Sequence, residues 1–107
     1  MISSTKLSKK KFAIYGLGKT GHSVINYLNK RKIRNIYSWD DEPKKRNSFS
    51  NKITKSNFPK ILDDANYIVL SPGINFHKSN FRKALKKNRN KIITDLDLFY
   101  MENLRQK

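Results

Sequence analysis

The sequence predicts an α/β domain: a single doubly wound, mostly parallel sheet of five strands with helices packed between them. Three observations predict it. Short apolar runs rich in β-branched and aromatic residues alternate with stretches of helical periodicity. Short turns join most of them. The first apolar run also flows directly into a glycine-rich turn, KFAIYGLGKTG over residues 11–21.

Taken in order, residues 1–10 are polar and basic and form a lead-in, and the domain is expected over residues 11–104. Lys11–Tyr15 reads as a buried strand. Thr20 to Arg31 reads as a helix, with Val24, Ile25 and Leu28 on one face. Ile33–Trp39 has the composition of a second strand, and Asp41–Asn51, polar with Pro43, reads as an exposed loop. Lys52–Lys55 is a candidate third strand. Phe58–Ala65 is a short helix with Pro59 in its first turn, where a missing N–H costs little. Tyr67–Leu70, YIVL, is the clearest buried strand and stops at Ser71-Pro72-Gly73. Ser79–Asn88 is a helix capped by Ser79, with Phe81, Ala84 and Leu85 as its apolar face. Lys91–Thr94 is the last strand. Leu96–Leu104 is helical, with Leu96, Phe99, Tyr100 and Leu104 available to bury.

Ligands of open parallel sheets bind outside the carboxyl ends of the strands, which directs attention to four places. The first is the G-x-G-x-x-G of Gly16, Gly18 and Gly21, between a strand and a helix as in Rossmann-like domains. Gly16 allows the tight turn, Gly18 has no Cβ to hold a pyrophosphate away, and Gly21 lets the helix approach the sheet. The helix start supplies unpaired N–H groups and the positive end of a dipole. The second place is Asp40, 22 residues beyond Gly18, near where such folds put an acid for a ribose. Its carboxylate could accept from a ribose hydroxyl or a uracil imide N–H, or it could cap a turn; spacing does not separate these.

The third place is Ser71-Pro72-Gly73, a rigid turn in which Gly73 can take φ > 0 and present its N–H to a ligand. The fourth is Asp95 and Asp97, which with no third ligand nearby fit helix-start acids better than a metal site. Thr20 could give a hydroxyl to a phosphate or simply begin its helix. His22 and His77 read as solvated. Nothing resembles a nucleophile with its base and orienting group.

Composition narrows the function further. The absence of cysteine excludes disulfides, thiolate metal sites and cysteine catalysis, and suits a reducing cytoplasm. No apolar run approaches the roughly 20 residues of a membrane span, so no membrane role is expected. The apolar part of KLSKKKFAIYGLG is too short and glycine-broken for a signal peptide. The net charge of +16 would suit a polyanion partner. Lysine, asparagine and isoleucine nevertheless make up 41 of the 107 residues, and the basic residues are scattered over every segment. Compositional bias therefore explains the charge better than a specific nucleic-acid surface, while still allowing long-range attraction of an anionic ligand.

GLGKTG, an acid after the second strand, SPGI at Ser71–Ile74 and TDLDLF at residues 94–99, in that order, resemble the N-terminal domain of the Mur ligase family. They are most similar to its D-glutamate-adding branch, cytoplasmic enzymes of peptidoglycan synthesis. The resemblance covers about residues 10–104. It implies a domain that grips the UDP of UDP-N-acetylmuramoyl-L-alanine and acts as a monomer. Backbone N–H groups of Leu17, Gly18, Lys19 and Thr20, and the Thr20 hydroxyl, would hold pyrophosphate and ribose within the Gly16–Gly21 turn. Asp40 would face the uracil, and Ser71, Pro72 and Gly73 would close the pocket. Thr94 and Asp97 depart from the family's glycine and glutamate, and Asp41 and Glu42 stand where a hydroxyl residue and a basic or turn residue are common.

The family's G-T-N-G-K-[ST] ATP loop, carbamate-modified lysine, magnesium ligands and glutamate-binding domain have no counterpart in these 107 residues. D-Glutamate, ATP and magnesium are thus expected to enter only through other domains of a larger ligase, leaving this chain no catalytic or metal-binding residue and no activity alone. The competing readings are a stand-alone NAD(H)-binding module on the same glycines, which has no need of SPGI or DLDLF, and a basic nucleic-acid-binding protein.

Overall fold

A computed structural model describes residues 9–105, with side chains to residue 100. Residues 1–8 of the lead-in and the side chain of Leu104 lie outside the described residues. Four parallel strands form one sheet in the order β2-β1-β3-β4: β1 Phe12–Tyr15, β2 Ile36–Trp39, β3 Tyr67–Leu70 and β4 Ile92–Ile93. Around them run α1 Lys19–Lys30, α2 Phe58–Asp64, α3 Arg82–Lys87 and α4 Asp95–Arg105. The register pairs Phe12 with both Ile36 and Tyr67, and Tyr15 with both Trp39 and Leu70. The carboxyl ends of the three long strands are therefore level.

Successive strand side chains point to opposite faces, and β1 is buried on both. Phe12 and Ile14 pack with Val24, Ile25 and Leu28 of α1 and with Leu98 of α4. Ala13 and Tyr15 pack with Phe58 and Leu62 of α2 and Leu85 of α3. The second face centres on Phe58, whose ring lies 5.5 Å from Tyr15, 5.9 Å from Trp39 and 5.0 Å from Phe81. Asn88 joins α2 to α3 by donating to Asp63 Oδ1 at 2.7 Å. Lys91 Nζ donates to the carbonyl of Asp63 at 2.6 Å, satisfying an acceptor left over at the end of α2.

The expected fifth strand is not among the described residues. At Lys52–Lys55 only Ile53 turns inward, and its polar neighbours bond locally. Thr54 N–H donates to Asn57 Oδ1 and Asn57 N–H to Thr54 Oγ1, which folds the segment into a turn leading to α2. The second strand begins at Ile36, not Ile33. Lys32 adopts φ 62° and closes α1, with Ile33 N–H donating to Leu28 O and Lys32 N–H to Asn29 O. That pair of bonds is a Schellman motif, and Ile33 is buried as its hydrophobic contact.

The loop expected at Asp41–Asn51 contains two 3-10 turns, Pro43–Lys45 and Ser48–Ser50. Buried Ser38 anchors it through Asn47 Oδ1 and Ser50 Oγ, and the Arg46 guanidinium lies 3.7 Å from the centre of the Trp39 ring. Regular helix starts at Arg82, with Ser79 Oγ accepting from Phe81 N–H just ahead of it. In α4 the apolar face is corrected. Leu98 is fully buried and Phe99 packs on Tyr27, whereas Leu96 is 71 % and Tyr100 64 % exposed. Thr94 and Asp97 form a reciprocal capping pair, each backbone N–H donating to the other's side chain at 3.0 Å, and this sets which turn of α4 meets the sheet. Among the described residues no helix is long and apolar enough to cross a membrane.

Phe58→Ala is expected to cost about 3–5 kcal/mol of unfolding free energy in urea titration, because the ring is fully buried among three aromatic partners. Ile61→Ala, at a half-buried neighbour, is expected to cost less.

Candidate functional site

The strand order places the first two connections on opposite sides of β1. The crevice outside the ends of β1 and β3 is therefore the switch point of the sheet, the position at which open α/β sheets take ligands. The turn after β1 and the SPGI segment after β3 meet there.

The three glycines differ in what demands them. Gly16 has φ 102°, and a Cβ there would overlap the Ser71 side chain. A Cβ on Gly21 would overlap the carbonyl oxygen of Gly16. Both are required by the fold. Gly18 is different: it stands just before α1 with φ −81°, and a Cβ would meet nothing within 4 Å. No side chain caps the helix there, and its first turn carries no acidic residue. Lys19 is exposed beside it, and Thr20 is half-buried in the first turn.

Asp40 is 8 % exposed and holds this turn in place. Its Oδ2 accepts from Leu17 N–H at 2.7 Å and its Oδ1 from Glu42 N–H at 2.8 Å, while Arg46 Nε donates to its carbonyl at 2.9 Å. Leu17 N–H is thus engaged within the protein, and the backbone groups at Gly18, Lys19 and Thr20 stand at the open end of the helix.

Ser71 N–H donates to Tyr15 O, and Ile74 N–H donates to Ser71 O to close the SPGI turn. Gly73 is exposed in it and does not take the expected positive φ; among the described glycines only Gly16 does. Here too a Cβ would meet nothing within 4 Å. Beside this turn opens a cavity of about 190 Å³ lined by Tyr15, Asp41, Gly73, Ile74, Asn75, Lys78 and Ser79. Several of these carried no signal in the sequence. The Tyr15 hydroxyl emerges from the core to donate to Asp41 Oδ2 at 2.8 Å and to pair with Ser79 Oγ at 2.7 Å. Burial pushes the Tyr15 phenol well above its ordinary range, so it remains a proton donor.

Asp95 and Asp97 start α4, Asp97 within its capping pair. His22 and His77 are exposed. Among the described residues no three His, Asp or Glu side chains gather as metal ligands.

A four-stranded parallel sheet with an uncapped glycine turn at its switch point defines an open-sheet α/β domain. Residues 10–93 match the family model described as Mur ligase MurD-like, N-terminal domain. The chain belongs to that family. Among its relatives, the UDP-N-acetylmuramoylalanine--D-glutamate ligase of Wolbachia pipientis wMel is 36% identical over 98 residues, spanning 88% of this chain and 19% of the relative. The ligase of the same name from Rickettsia bellii is 37% identical over 97 residues, covering 86% and 21%. That of Buchnera aphidicola subsp. Schizaphis graminum is 35% identical over 104 residues, covering 87% and 22%. The chain spans about a fifth of the length of these relatives.

Gly21→Ala is expected to lower the denaturation midpoint far more than Gly18→Ala, since only the first new methyl strikes backbone. Asp40→Asn presents an amide N–H₂ to one of two backbone donors and is expected to cost about 1–3 kcal/mol without any ligand present. Urea titration of the three variants checks both.

Proposed function

We propose that this domain binds the UDP moiety of UDP-N-acetylmuramoyl-L-alanine, as the N-terminal nucleotide-binding domain of a D-glutamate-adding, ATP-dependent ligase of peptidoglycan synthesis. The observation that carries the reading is Gly18: no backbone angle and no neighbouring atom calls for glycine there, yet it stands at an uncapped helix start in the switch-point crevice. A bare backbone at that position suits a close-approaching diphosphate. The N–H groups of Gly18, Lys19 and Thr20 and the dipole of α1 would hold the phosphates, with the Lys19 ammonium alongside and the Thr20 hydroxyl as a further donor. Gly16 and Gly21 shape the turn, Leu17 ties it to Asp40, and Ser71, Pro72 and Gly73 form the opposite wall. A sheet packed by helices on both faces agrees with a Rossmann-like, doubly wound arrangement.

Family membership and the names of the relatives support the substrate class. ATP, magnesium and D-glutamate belong, in this reading, to the remaining four-fifths of such a ligase. The Gly18-Lys19-Thr20 run does not fit a P-loop, because the position five residues before Gly18 is Ala13, inside β1. No step is therefore assigned here to ATP or metal. A cytoplasmic location and a monomeric state go with this reading.

In isothermal titration the chain is expected to bind UDP in preference to NADH, and to release no phosphate from ATP and magnesium. Gly18→Val is expected to abolish UDP binding while leaving the circular dichroism spectrum and unfolding midpoint close to the parent's. Tight NADH binding with no response to UDP would replace the reading with a dinucleotide one. UDP binding by Gly18→Val equal to the parent's would make the glycine turn purely structural.

A further inference from the structure

Cations are spread along the whole chain, but their balance against acids is uneven. Residues 82–91 carry six of the 24 lysines and arginines and no acid, more cations than any other ten-residue stretch. In α3, Arg82, Lys83, Lys86 and Lys87 are all exposed, while Leu85 and the flanking Phe81 and Asn88 are buried. At the helical period the four cations fall on one outward stripe, opposite the face that packs with Phe58 and Leu62 of α2. The fold uses the far end of this stretch. Lys87 Nζ lies 3.3 Å from Asp63 Oδ2, Lys91 Nζ donates to carbonyls at the end of α2, and the Arg89 guanidinium lies 5.7 Å from the centre of the Phe76 ring. The near end is left over. Arg82 Nη1 donates to the His77 carbonyl at 3.3 Å, which holds the guanidinium without neutralising it. Among the described residues no carboxylate pairs with Arg82, Lys83 or Lys86. Arg82 and Lys83 line a groove of about 380 Å³ between the starts of α2 and α3, and Lys86 follows one turn along. The groove is mixed in character: Asn80 adds a polar group, and Pro59 and Ala84 add apolar surface.

We propose that this groove and the stripe beside it form a docking surface for an acidic protein segment that carries an apolar side chain. The surface is separate from the glycine turn and does not depend on the nucleotide reading. Three cations without counter-charges repel one another, and an acidic partner relieves that repulsion as it binds. The Arg82 guanidinium can take a carboxylate through two parallel bonds, with Lys83 and Lys86 as point charges beside it. An apolar side chain of the partner leaves water between Pro59 and Ala84. Shape and lining favour this partner over other polyanions. A bilayer surface is too broad to enter the groove. Single-stranded nucleic acid relies on exposed aromatic rings to stack its bases, and the one ring in the lining, Phe81, is 4 % exposed. Duplex phosphates would meet the stripe but have nothing to offer the apolar wall.

The test is fluorescence anisotropy of the whole chain with a labelled oligoglutamate bearing one central leucine, the same peptide with serine for leucine, and a short DNA duplex. Co-sedimentation with vesicles of equal parts phosphatidylcholine and phosphatidylglycerol completes the set. Arg82→Gln/Lys83→Gln/Lys86→Gln is compared with Lys30→Gln/Lys52→Gln/Lys55→Gln, which removes the same charge from exposed sites elsewhere. Near-ultraviolet circular dichroism checks that both variants are folded. The first is expected to bind the leucine peptide about tenfold more weakly than the parent, the scale of three partly exposed ion pairs. The second is expected to stay within about twofold at physiological salt, where distant charges are screened. Lys83→Gln/Lys86→Gln, which leaves the Arg82 bond to His77 intact, is expected to lose severalfold. Serine for leucine is expected to weaken binding to the parent severalfold. Equal losses in the two triple variants would overturn the proposal by showing attraction to net charge alone, as would equal binding of the leucine and serine peptides. Tighter binding of the duplex or the vesicles, lost only in the first variant, would reassign the surface to those partners and overturn it as well. So would a parent chain that binds neither peptide.

Discussion

Close backbone packing at Gly16 governs the rest of the molecule. The turn after β1 presses against the Ser71 side chain on one side and receives Gly21 of α1 on the other. That double contact draws the start of α1 and the end of β3 to the same point above the sheet. It leaves no room for a Cβ at Gly16 or Gly21, and the φ of 102° at Gly16 excludes most side chains independently. Asp40 completes the arrangement from β2 by accepting Leu17 N–H. Three strands, level at their carboxyl ends, thus converge on one turn, and the crevice at the switch point follows from backbone geometry before any functional side chain is considered.

Around that frame the polar groups divide into those the fold uses and those it leaves open. Ser38, Ser50, Asn88 and Asp40 are buried and all bonded, as burial of a polar group demands. The open groups lie together at the other end of the scale: the uncapped start of α1 and the bare Gly18 and Gly73. The charge of +16 adds an attractive field for an anion over the whole surface but no address for a nucleotide, because the cations are distributed along the entire sequence. Local geometry supplies the address in the proposed function.

Much of this was readable in the sequence because the governing contacts are local. YIVL, bounded by Asn66 and Ser71-Pro72-Gly73, is found as a strand over the expected residues, and the glycine turn stands between β1 and α1 as its spacing requires. The misreadings fall where a side chain overrode periodicity. Ile33 has strand composition but serves as the hydrophobic contact of a helix stop, and one inward isoleucine at position 53 imitated a strand within a turn held by Thr54 and Asn57. Capping by Thr94 and Asp97 fixed the rotation of α4, so Leu98 entered the core in place of Leu96 and Tyr100. The Tyr15–Asp41–Ser79 network joins residues up to 64 positions apart. No spacing rule reaches that far, although a tyrosine directly before a glycine turn places a hydroxyl at a strand's end.

The most direct measurement is a crystal structure of this chain with UDP. The account predicts the diphosphate within hydrogen-bond distance of the backbone N–H groups of Gly18, Lys19 and Thr20, with the nucleoside against the wall formed by Ser71, Pro72 and Gly73. A diphosphate held elsewhere on the basic surface, with the glycine turn unoccupied, would contradict it.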